Sequence, residues 1–382
     1  MNQPDKTIKI GLLGFGGMGK THAYAIQNLP FFYNNLPFHA EISGVCTTSL
    51  QKSQEVCQKL GFGIPTDCED DLIFSPNIDV IDICTPNRCH YETLKKAISA
   101  GKHIYCEKPL CISSEQALEI KNLVGKSGKI YKIVFNNRFI PAVMRAHELI
   151  LEGRIGRILS FDATYLHSSA IYTSKNAGWK QNKDICGGGV LLDLGSHVID
   201  LIYSLCGRFD SVLAATQIAF PIRAGSDGSP WHTNAEEAFY MLTKLENGAM
   251  GTIRASKVAS GTNDDLSFEI YGEKGALRYS LMDPNWLWFY DNTLPEKTLG
   301  GMRGFTRIES VGRYPAPGGS FPSPKAPVGW LMGHVESYYN FLNSVASGIP
   351  SKPDFSDAAY VQTIMESAYR SAESGTWVKI PN

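Results

Sequence analysis

The chain has 382 residues, of which 19% are charged, and a formal net charge of −1. This length favours two domains, each large enough to bury a substantial apolar core. The balanced charge lacks the basic surface that binds nucleic acids or anionic membranes, so we expect neither partner and predict a function on small molecules.

The nine cysteines are scattered along the chain, and no two of them form a Cys-x-x-Cys pair. This pattern argues against a disulfide framework or a zinc ribbon. The amino-terminal sequence MNQPDKTIKI has no apolar stretch followed by a small-residue cleavage site, and no window approaches eighteen consecutive apolar residues. We therefore predict a cytoplasmic protein with reduced thiols.

The first 135 residues predict an α/β domain with a Rossmann-type, doubly wound parallel sheet. Short apolar runs at 8–13, 42–46, 80–84, 103–106 and 130–135 predict strands, and the segments 49–60, 91–100 and 115–128 between them have helical periodicity. Ser113 with Gln116 three residues later predicts a helix start. Alternating strands and helices imply right-handed crossovers and a parallel sheet.

Residues 136–382 predict a second, α+β domain with a largely antiparallel open sheet. A helix is expected at about 189–206, and strand patterns follow at 212–220, 238–245, 250–256, 266–271 and 276–280, after one at 159–166. Turn signals separate these runs. The Gly- and Pro-rich segment 294–330 predicts a long loop, and helices are expected again at 334–347 and 356–373.

The first strand runs into GFGGMG at residues 14–19 and then into a helical pattern. In G-x-G-x-x-G the three glycines serve a tight turn, the close approach of pyrophosphate, and helix-to-strand packing. The pattern predicts dinucleotide binding by Gly14, Phe15, Gly16, Gly17, Met18 and Gly19. The alternative is a tight turn without a ligand.

The end of the second strand carries no acidic residue to hold the adenosine ribose. Thr47 and Thr48 stand there instead, with Lys52 four residues beyond Thr48. Hydroxyl groups can bond a ribose or a 2′-phosphate, so NAD and NADP both remain open as cofactor. The alternative is that these residues only cap the next helix.

Polar residues also follow two later strands. Thr85, Pro86 and Asn87 come after the run 80–84, and Glu107 and Lys108 come after 103–106. The carboxyl ends of a doubly wound sheet present such loops to ligands. Taken alone, Lys108 is more typical of a solvated surface lysine than of a catalytic one.

Asp193 and His197 are spaced i, i+4, which places them on one face of a helix. Three glycines at 187–189 precede that helix and allow close backbone approach. Imidazole suits proton transfer because its ordinary pKa of about 6.5 lies near working pH. No third and fourth ligand accompanies the pair, so we predict no metal. The alternative is an ordinary polar pair on a helix.

Five motifs, GFGGMG, ICTPN, GKHIYCEKPL, FNNRFIPA and GGGVLLDLGSHVIDL, occur in the order and approximate spacing of the Gfo/Idh/MocA oxidoreductase family. The resemblance spans essentially the whole chain. It implies a Rossmann domain followed by a domain whose open sheet often forms the subunit interface, hence a homodimer or homotetramer. It also implies NAD(P)-dependent hydride transfer to or from a secondary alcohol or ketone of a sugar, cyclitol or related polyol.

The resemblance further assigns roles to residues. Lys108 would bond the reacting oxygen, His197 would act as general acid/base, and Asp193 would position the substrate, the three meeting across an interdomain cleft. The cofactor would be bordered by Thr85, Pro86, Asn87, His90, Glu107 and Lys108, with Arg138 near the nicotinamide end or the substrate. Trp179 joins Lys108, Asp193 and His197 as a predicted substrate contact, and Lys180, His232 and His334 are further candidates for hydroxyl contacts. For Trp179 and these three, a packing or surface role is the alternative.

Two other functions stay open on the sequence alone. One is a redox-neutral, NAD-dependent glycosidase, which oxidises a sugar, eliminates the aglycone and reduces the product again. The other is a non-catalytic sensor that binds a dinucleotide, although a sensor has no need of Lys108, Asp193 and His197 together.

Overall fold

The computed structural model describes residues 6–125, 127–173, 178–225 and 228–381. The chain divides into two compact units, one formed by residues 1–139 and 313–360, the other by residues 140–312 and 361–382. The predicted boundary at 135/136 lies four residues before residue 140, where the chain first passes from the first unit to the second. The return of residues 313–360 to the first unit was not predicted, because nothing in the local pattern of that segment says which core it joins.

The first unit contains a six-stranded sheet in the order β3-β2-β1-β4-β5-β6, in which all neighbours are parallel. Its strands are β1 (Thr7–Leu13), β2 (His39–Cys46), β3 (Ile64–Thr66), β4 (Val80–Ile83), β5 (His103–Cys106) and β6 (Tyr131–Ile133). Every residue of β4 is buried, as expected of a strand covered by helices on both faces. The predicted Rossmann sheet is confirmed.

Helices α1 (Gly17–Phe32), α2 (Leu50–Leu60), α3 (Asp70–Ile73), α4 (Asn87–Ser99) and α5 (Ser114–Val124) connect these strands. The Ser49 side chain caps α2 by accepting the Lys52 N–H, and Ser113 caps α5 by accepting the Gln116 N–H. The predicted start of α5 is therefore confirmed.

The second unit opens with α6 (Pro141–Leu151) and β7 (Ile158–Leu166), followed by α7 (Lys183–Cys186) and α8 (Ser196–Cys206). Strands then follow as β8 (Phe209–Gln217), β9 (Ile222–Ala224), β10 (Pro230–His232), β11 (Ala238–Leu245), β12 (Met250–Ser256), β13 (Asp265–Gly272), β14 (Gly275–Ser280), β15 (Trp286–Asp291), β16 (Phe305–Glu309) and β17 (Val378–Lys379). β9 and β10 form a separate pair.

The other strands of this unit form a nine-stranded sheet in the order β16-β15-β14-β13-β7-β12-β11-β8-β17. β7 and β12 pair in parallel, and the other neighbours pair antiparallel. Burial alternates along β11 in steps of two, so one face of the sheet packs on the core. The predicted, largely antiparallel sheet is confirmed.

The helix predicted at 189–206 is not one regular α-helix. Residues Leu191–Gly195 form a π-helical turn, in which the Ser196 N–H donates to the Leu191 carbonyl, and α8 continues from Ser196. Asp193 lies in the π turn and His197 in the first turn of α8. Single π turns of this kind are frequent at functional sites.

Helices α9 (Trp330–Ser347) and α10 (Phe355–Ser374) follow the Gly- and Pro-rich segment. Val335, Tyr338, Phe341, Leu342 and Val345 of α9 join the apolar core of the first unit. The prediction of a structureless loop over 294–330 was wrong at β16, which pairs with β15. This edge strand is mostly exposed, so it lacks the apolar alternation that predicts strands.

The stretch 183–206 is long and apolar enough to cross a membrane by composition, but 83% of its window is buried inside the protein, as in the core helix of a globular protein. All nine cysteines lie in the described part of the chain and are free. Residues 1–5, which belong to the amino-terminal sequence considered above, lie outside the described residues.

Candidate active site

The glycine turn between β1 and α1 separates glycines needed by the fold from glycines that leave space. A Cβ on Gly14, where φ is +90°, would lie 2.6 Å from the Cys84 carbonyl oxygen, and one on Gly19 would lie 2.2 Å from the Gly14 oxygen. Cβ atoms on Gly16 and Gly17 would meet no described atom within 4 Å. The first N–H groups of α1 carry no side-chain cap. Such an open helix amino terminus fits the pyrophosphate of a dinucleotide.

Phe15 packs its ring edge-on against Phe62 at 6.3 Å, and Met18 is partly exposed in the first turn of α1. At the end of β2, the Thr47 hydroxyl donates to the Ser49 carbonyl, so it serves the local turn. The Lys52 ammonium donates to the exposed Thr48 hydroxyl at 3.4 Å. Ser49, and not Thr47, caps α2, and Thr48 with Lys52 forms the pair that faces solvent.

A cluster of charges is buried beneath the loop that carries Glu107 and Lys108. The His22 ring lies 2.9 Å through Nδ1 from Asp82 Oδ1 and 3.1 Å through Nε2 from Glu107 Oε1. Tyr338 donates its hydroxyl to the other Asp82 oxygen at 2.9 Å. Sequence reasoning missed His22, Asp82 and Tyr338. The available signal was a histidine and an aspartate inside otherwise apolar elements.

The electrostatics of this cluster follow from its contacts. Burial lowers the pKa of His22, but the neighbouring Asp82 carboxylate outweighs burial and raises it well above its ordinary value. Burial raises the pKa of Glu107, but the hydrogen bond and charge of His22, together with the charge of Lys108, bring it down to about 2. Glu107 is therefore ionised at neutral pH.

The loop after β4 holds the other residues predicted to border the cofactor. Pro86 caps α4, Asn87 is its first residue, and the Thr85 hydroxyl is buried without a hydrogen-bond partner among the described residues. His90 is fully buried, with Nδ1 2.9 Å from the Pro109 carbonyl and Nε2 3.0 Å from the Thr85 carbonyl. These bonds favour a role for His90 in holding the loops rather than in touching the cofactor.

Arg138 lies in a single 3₁₀ turn, Asn136–Phe139, directly after β6. Its guanidinium is 4.0 Å from the Asp357 carboxylate. Beside it, the Asn136 amide nitrogen and both amide atoms of Asn137 are buried without partners among the described residues. Such orphaned polar atoms, with the open glycine turn, fit a polar ligand along the carboxyl edge of this sheet.

In the second unit, Asp193 is held by two lysines. Lys257 Nζ lies 3.0 Å from Oδ2, and Lys180 Nζ lies 2.9 Å from the same oxygen. The Lys257 side chain is 10% exposed and that of Lys180 is 48% exposed. Lys180 thus pairs with Asp193, while Trp179 beside it is 40% exposed. Lys257, which follows β12, was missed by the sequence analysis.

His197 is 9% exposed and lies with its ring 5.8 Å from the Tyr165 ring. The Tyr165 hydroxyl and His167 Nε2 both lie 2.6 Å from Asp264 Oδ1. Burial raises the pKa of Asp264, but these two bonds and the neighbouring histidines lower it overall. Sequence reasoning missed all three of these neighbours, because β7 and the loop before β13 are brought together only by the sheet.

The glycines before the π turn approach other parts of the protein. A Cβ on Gly188 would lie 2.2 Å from the Tyr369 hydroxyl, and one on Gly189 would lie 2.0 Å from the Glu236 carbonyl oxygen. The Glu236 carboxylate accepts the N–H groups of Gly189 and Leu191 at 2.9 and 3.0 Å. The glycines at 187–189 were expected to allow close backbone approach. Gly188 and Gly189 approach Tyr369 and Glu236 of the protein itself, and these contacts fix the start of the turn that carries Asp193.

Two further candidates for hydroxyl contacts were His232 and His334. His232 is exposed in β10, and His334 is buried in α9 with its ring 4.3 Å from that of Trp330. Among the described residues, one group of potential metal ligands, His22, Asp82 and Cys84, has its ligating atoms within 4.8 Å of one another. It belongs to the buried cluster of the first unit, where carboxylates already contact both nitrogens of His22.

Comparison with protein families assigns both halves of the chain. Residues 8–135 match the NAD-binding Rossmann fold of an oxidoreductase family, and residues 143–278 match the Gfo/Idh/MocA C-terminal domain. The predicted Rossmann domain and the predicted nicotinamide dinucleotide are confirmed by these matches.

Relatives extend the match to the whole chain. Levoglucosan dehydrogenase of Pseudarthrobacter phenanthrenivorans is 30% identical over 98% of this chain and 99% of its own length. D-Glucoside 3-dehydrogenase of Escherichia coli is 30% identical over 64% of this chain and 68% of its own. A solved structure of levoglucosan dehydrogenase in complex with NADH and levoglucosan has a TM-score of 0.93, covering 98% of this chain and 100% of that one. The predicted enzyme class is confirmed, and the chain belongs to the Gfo/Idh/MocA family of NAD-dependent oxidoreductases.

Proposed function

We propose that the protein oxidises a secondary hydroxyl group of a sugar or anhydrosugar to a ketone, or catalyses the reverse reduction. The observation that carries the proposal is the pairing of Asp193 with two lysines one turn from His197, in a chain that aligns along its length with a levoglucosan dehydrogenase. A carboxylate, cationic side chains and an imidazole suit the recognition and deprotonation of a carbohydrate hydroxyl.

The open glycine turn at Gly16 and Gly17 would hold the dinucleotide, whose nicotinamide would supply the hydride acceptor, while the protein's own residues transfer the proton and stabilise charge. His197 takes the hydroxyl proton as the C–H bond breaks, so the alcohol becomes a ketone and the imidazole carries the proton to solvent. The Lys108 ammonium group stabilises the negative charge that develops on the same oxygen. Positioned proton transfer of this kind contributes roughly 10² to 10⁴ in rate.

Asp193 orients the substrate by accepting hydrogen bonds from its hydroxyl groups at the carboxylate oxygens that also contact Lys180 and Lys257. Lys257 is nearly buried and keeps the carboxylate in place, whereas the half-exposed Lys180 can yield its contact to a substrate hydroxyl. Trp179, next to Lys180 and 40% exposed, offers an apolar face of the kind on which sugar rings stack. We therefore keep Trp179 as a substrate contact and add Lys180 and Lys257.

For the cofactor, we propose that NAD is used and that NADP is accepted. The Thr48 hydroxyl, after β2, and the Lys52 ammonium group both face solvent. Residues 45–49 include no carboxylate, so none of them would repel a 2′-phosphate. Direct comparison of the two cofactors in turnover measures this. Discrimination against NADP by more than about a thousandfold, roughly 4 kcal/mol, would contradict it.

For assembly, we propose a homodimer or homotetramer in the cytoplasm, formed through the open face of the large sheet. Tyr240 and Leu242 of β11 and Met250 of β12 are each at least 36% exposed on strands whose alternate residues are buried. Apolar side chains gathered on one sheet face are typical of a subunit interface. Leu242→Glu should shift the mass measured by light scattering to that of a smaller species.

The experiment that tests the proposed activity is a screen of free sugars, anhydrosugars, polyols and nitrophenyl glycosides with NAD and with NADP. Absorbance at 340 nm follows net NADH formation, and the released nitrophenol is measured separately. We expect net NADH formation with at least one carbohydrate, levoglucosan being the first to try. Aglycone release from a glycoside without net NADH would replace this function by a redox-neutral glycosidase. Tight NADH binding without turnover on any carbohydrate would leave a sensor.

A further inference from the structure

Lys108 stands out within the stretch 104–111 because it is the one residue there that is not buried. Tyr105 and Cys106, which end β5, are 0% exposed, and Glu107 is 6% exposed. Pro109 is buried on the other side. The backbone position of Lys108 is therefore set by whatever holds Glu107 and Pro109.

The residue before Lys108 is held by His22. Nε2 of the fully buried His22 donates to Glu107 Oε1 at 3.1 Å, and the other Glu107 oxygen accepts the Lys108 backbone N–H at 3.2 Å. Nδ1 of His22 is anchored 2.9 Å from Asp82. A chain of hydrogen bonds thus runs from β4 through α1 to the peptide nitrogen of Lys108.

The residue after Lys108 is held by a second buried imidazole. His90, in the first turn of α4, contacts the Pro109 carbonyl at 2.9 Å and the Thr85 carbonyl at 3.0 Å. Both partners are acceptors, and burial keeps the pKa of His90 below its ordinary value, so the neutral ring donates its one N–H to one carbonyl and lies against the other. This ring ties the loop after β5 to the loop after β4.

From these contacts we propose that His22 and His90 are positioning residues, which fix the backbone on both sides of Lys108 and so present its ammonium group at a preset place. The proposal rests on the proposed function, in which Lys108 bonds the reacting oxygen. A displacement of about 1 Å in a reacting geometry can cost on the order of a hundredfold in rate. Rigid support of this kind is what a catalytic lysine on a loop requires.

The charges of the cluster support this role. Asp82 raises the pKa of His22 against the opposing effect of burial, so the ring donates from both nitrogens. Glu107 stays ionised and accepts from both His22 and the Lys108 backbone. Burial lowers the pKa of His90, while its two carbonyl partners oppose that effect.

A purely structural role for the two histidines makes a different prediction. If they only support folding, their loss should impair the enzyme equally whether or not residue 108 is a lysine. If they act through Lys108, their loss should matter little once the ammonium group is gone, because residues that serve one interaction are non-additive.

The experiment measures kcat at saturating NAD and sugar for His22→Gln and His90→Gln, each in the wild-type and in the Lys108→Met background. Glutamine keeps donors at one end only, so one of the two contacts is lost. His103→Gln is the matched control: His103 begins the same strand, β5, and its ring accepts the Ile130 N–H at 3.0 Å.

We expect each glutamine variant to lower kcat about tenfold or more in the wild-type background and less than about twofold beside Lys108→Met. His103→Gln should change kcat by less than about twofold in both. Equal losses in the two backgrounds, with Lys108→Met itself impaired, would overturn the positioning role and leave the proposed function standing. Wild-type kcat in Lys108→Met would instead overturn the proposed role of Lys108.

Amide hydrogen exchange of the cofactor-free protein gives a second readout, independent of turnover. Peptides covering residues 104–111 should exchange faster in His22→Gln and His90→Gln than in wild type, and unchanged in Lys108→Met and His103→Gln. If His22→Gln does not fold, because it leaves two buried carboxylates without their cation, His90→Gln carries both tests. Unchanged exchange in His90→Gln would contradict the proposal.

Discussion

Lys108 and Asp193, the two charged residues assigned to substrate, are supported in opposite ways. The neighbours of Lys108 along the chain are buried and bonded to the fully buried His22 and His90. Asp193 is bonded instead to lysine side chains, one of which is 48% exposed. The hydrogen bonds around Lys108 are buried away from water. The contact between Lys180 and Asp193 is exposed, so water or a ligand can replace it.

The difference suggests a division of tasks between the two units. A cation that stabilises charge on oxygen must be in place before the substrate arrives, because reorganisation during the reaction adds to the barrier. A carboxylate that recognises hydroxyl groups gains by exchanging one partner for another. We therefore expect substitutions near Lys108 to affect kcat and substitutions near Asp193 to affect the choice of sugar.

The largest effect should come from removing the two groups assigned to the substrate oxygen. His197→Ala and Lys108→Ala should each lower kcat by roughly 10² or more with cofactor affinity nearly unchanged, since proton transfer and charge stabilisation are lost. Steady-state kinetics on a sugar from the screen, with NADH titrations as control, measure this.

The double variant should lose less than the product of the two factors, because both groups act on one oxygen. Near-wild-type turnover in either single variant would return that residue to a packing or surface role. Full multiplicativity would mean that the two residues act independently.

The next effect concerns buried charge in the first unit. Burial raises the pKa of Glu336 to about 7, against the lowering effect of a hydrogen bond from Tyr33 and the charge of Lys132. Because the folded pKa exceeds the ordinary value of 4.5, the folded state holds the proton more tightly, and stability falls as pH rises from about 4.5 to above 7.

Glu336→Gln removes this pH dependence, since an amide is neutral throughout. It should stabilise the protein by about 3 kcal/mol at pH 8 and by less than about 1 kcal/mol at pH 5. Thermal unfolding at the two pH values measures the difference, with Glu55→Gln on the exposed side of α2 as control. A stabilisation that does not vary with pH would show that the carboxyl group is not the cause.

The glycine turn after β1 allows the same comparison, because Gly19 is needed by the fold whereas Gly16 borders open space. Gly16→Val should weaken NAD binding at least tenfold, about 1.4 kcal/mol, with the melting temperature kept, since its side chain enters space open to the pyrophosphate. Gly19→Ala should lower the melting temperature, because its Cβ would lie 2.2 Å from the Gly14 carbonyl oxygen. Calorimetric titration measures the NAD affinity of both variants, and thermal unfolding measures their melting temperatures. Wild-type NAD affinity in a folded Gly16→Val would show that the dinucleotide does not bind at this turn.

The smallest effect should separate the two lysines of Asp193. Lys257→Met leaves the carboxylate without its buried partner and should lower kcat/KM by about tenfold, less than the usual loss for one partner of a buried pair because Lys180 still contacts Asp193. Lys180→Met removes an exposed partner and should change kcat/KM by about threefold or less, with the loss mainly in KM. Equal losses in kcat would mean that Lys180 is as fixed as Lys257 and would break the comparison.

Contacts within contiguous segments were predictable, and contacts across strands were not. The strands of the first unit other than β3, the need for glycine at 14 and 19 and the Ser113 cap follow from residues a few positions apart. The three-residue β3 (Ile64–Thr66) was missed, because so short a run shows no periodicity. The His22 cluster joins α1, β4 and the loop after β5, so only the folded sheet brings its members together.

In the second unit the same limit applies to the neighbours of Asp193 and His197. Lys257, Asp264 and Glu236 come from the ends of strands whose register no local pattern specifies. The π turn was also not predictable, because its extra residue leaves the apolar period of 189–206 nearly unchanged. The family motifs named Lys108, Asp193 and His197, but not the groups that hold them.

The return of α9 to the first unit has a consequence for synthesis of the chain. Tyr338, Phe341 and Val345 complete a core whose strands are finished by residue 133, so about 200 further residues must be made before that core can close. At about 5–20 residues per second, roughly 10–40 seconds pass between the two events on the ribosome. During that time α1 can pack on its own sheet, but the apolar side chains that later contact α9 stay uncovered, which makes the nascent amino-terminal half a natural client for chaperones.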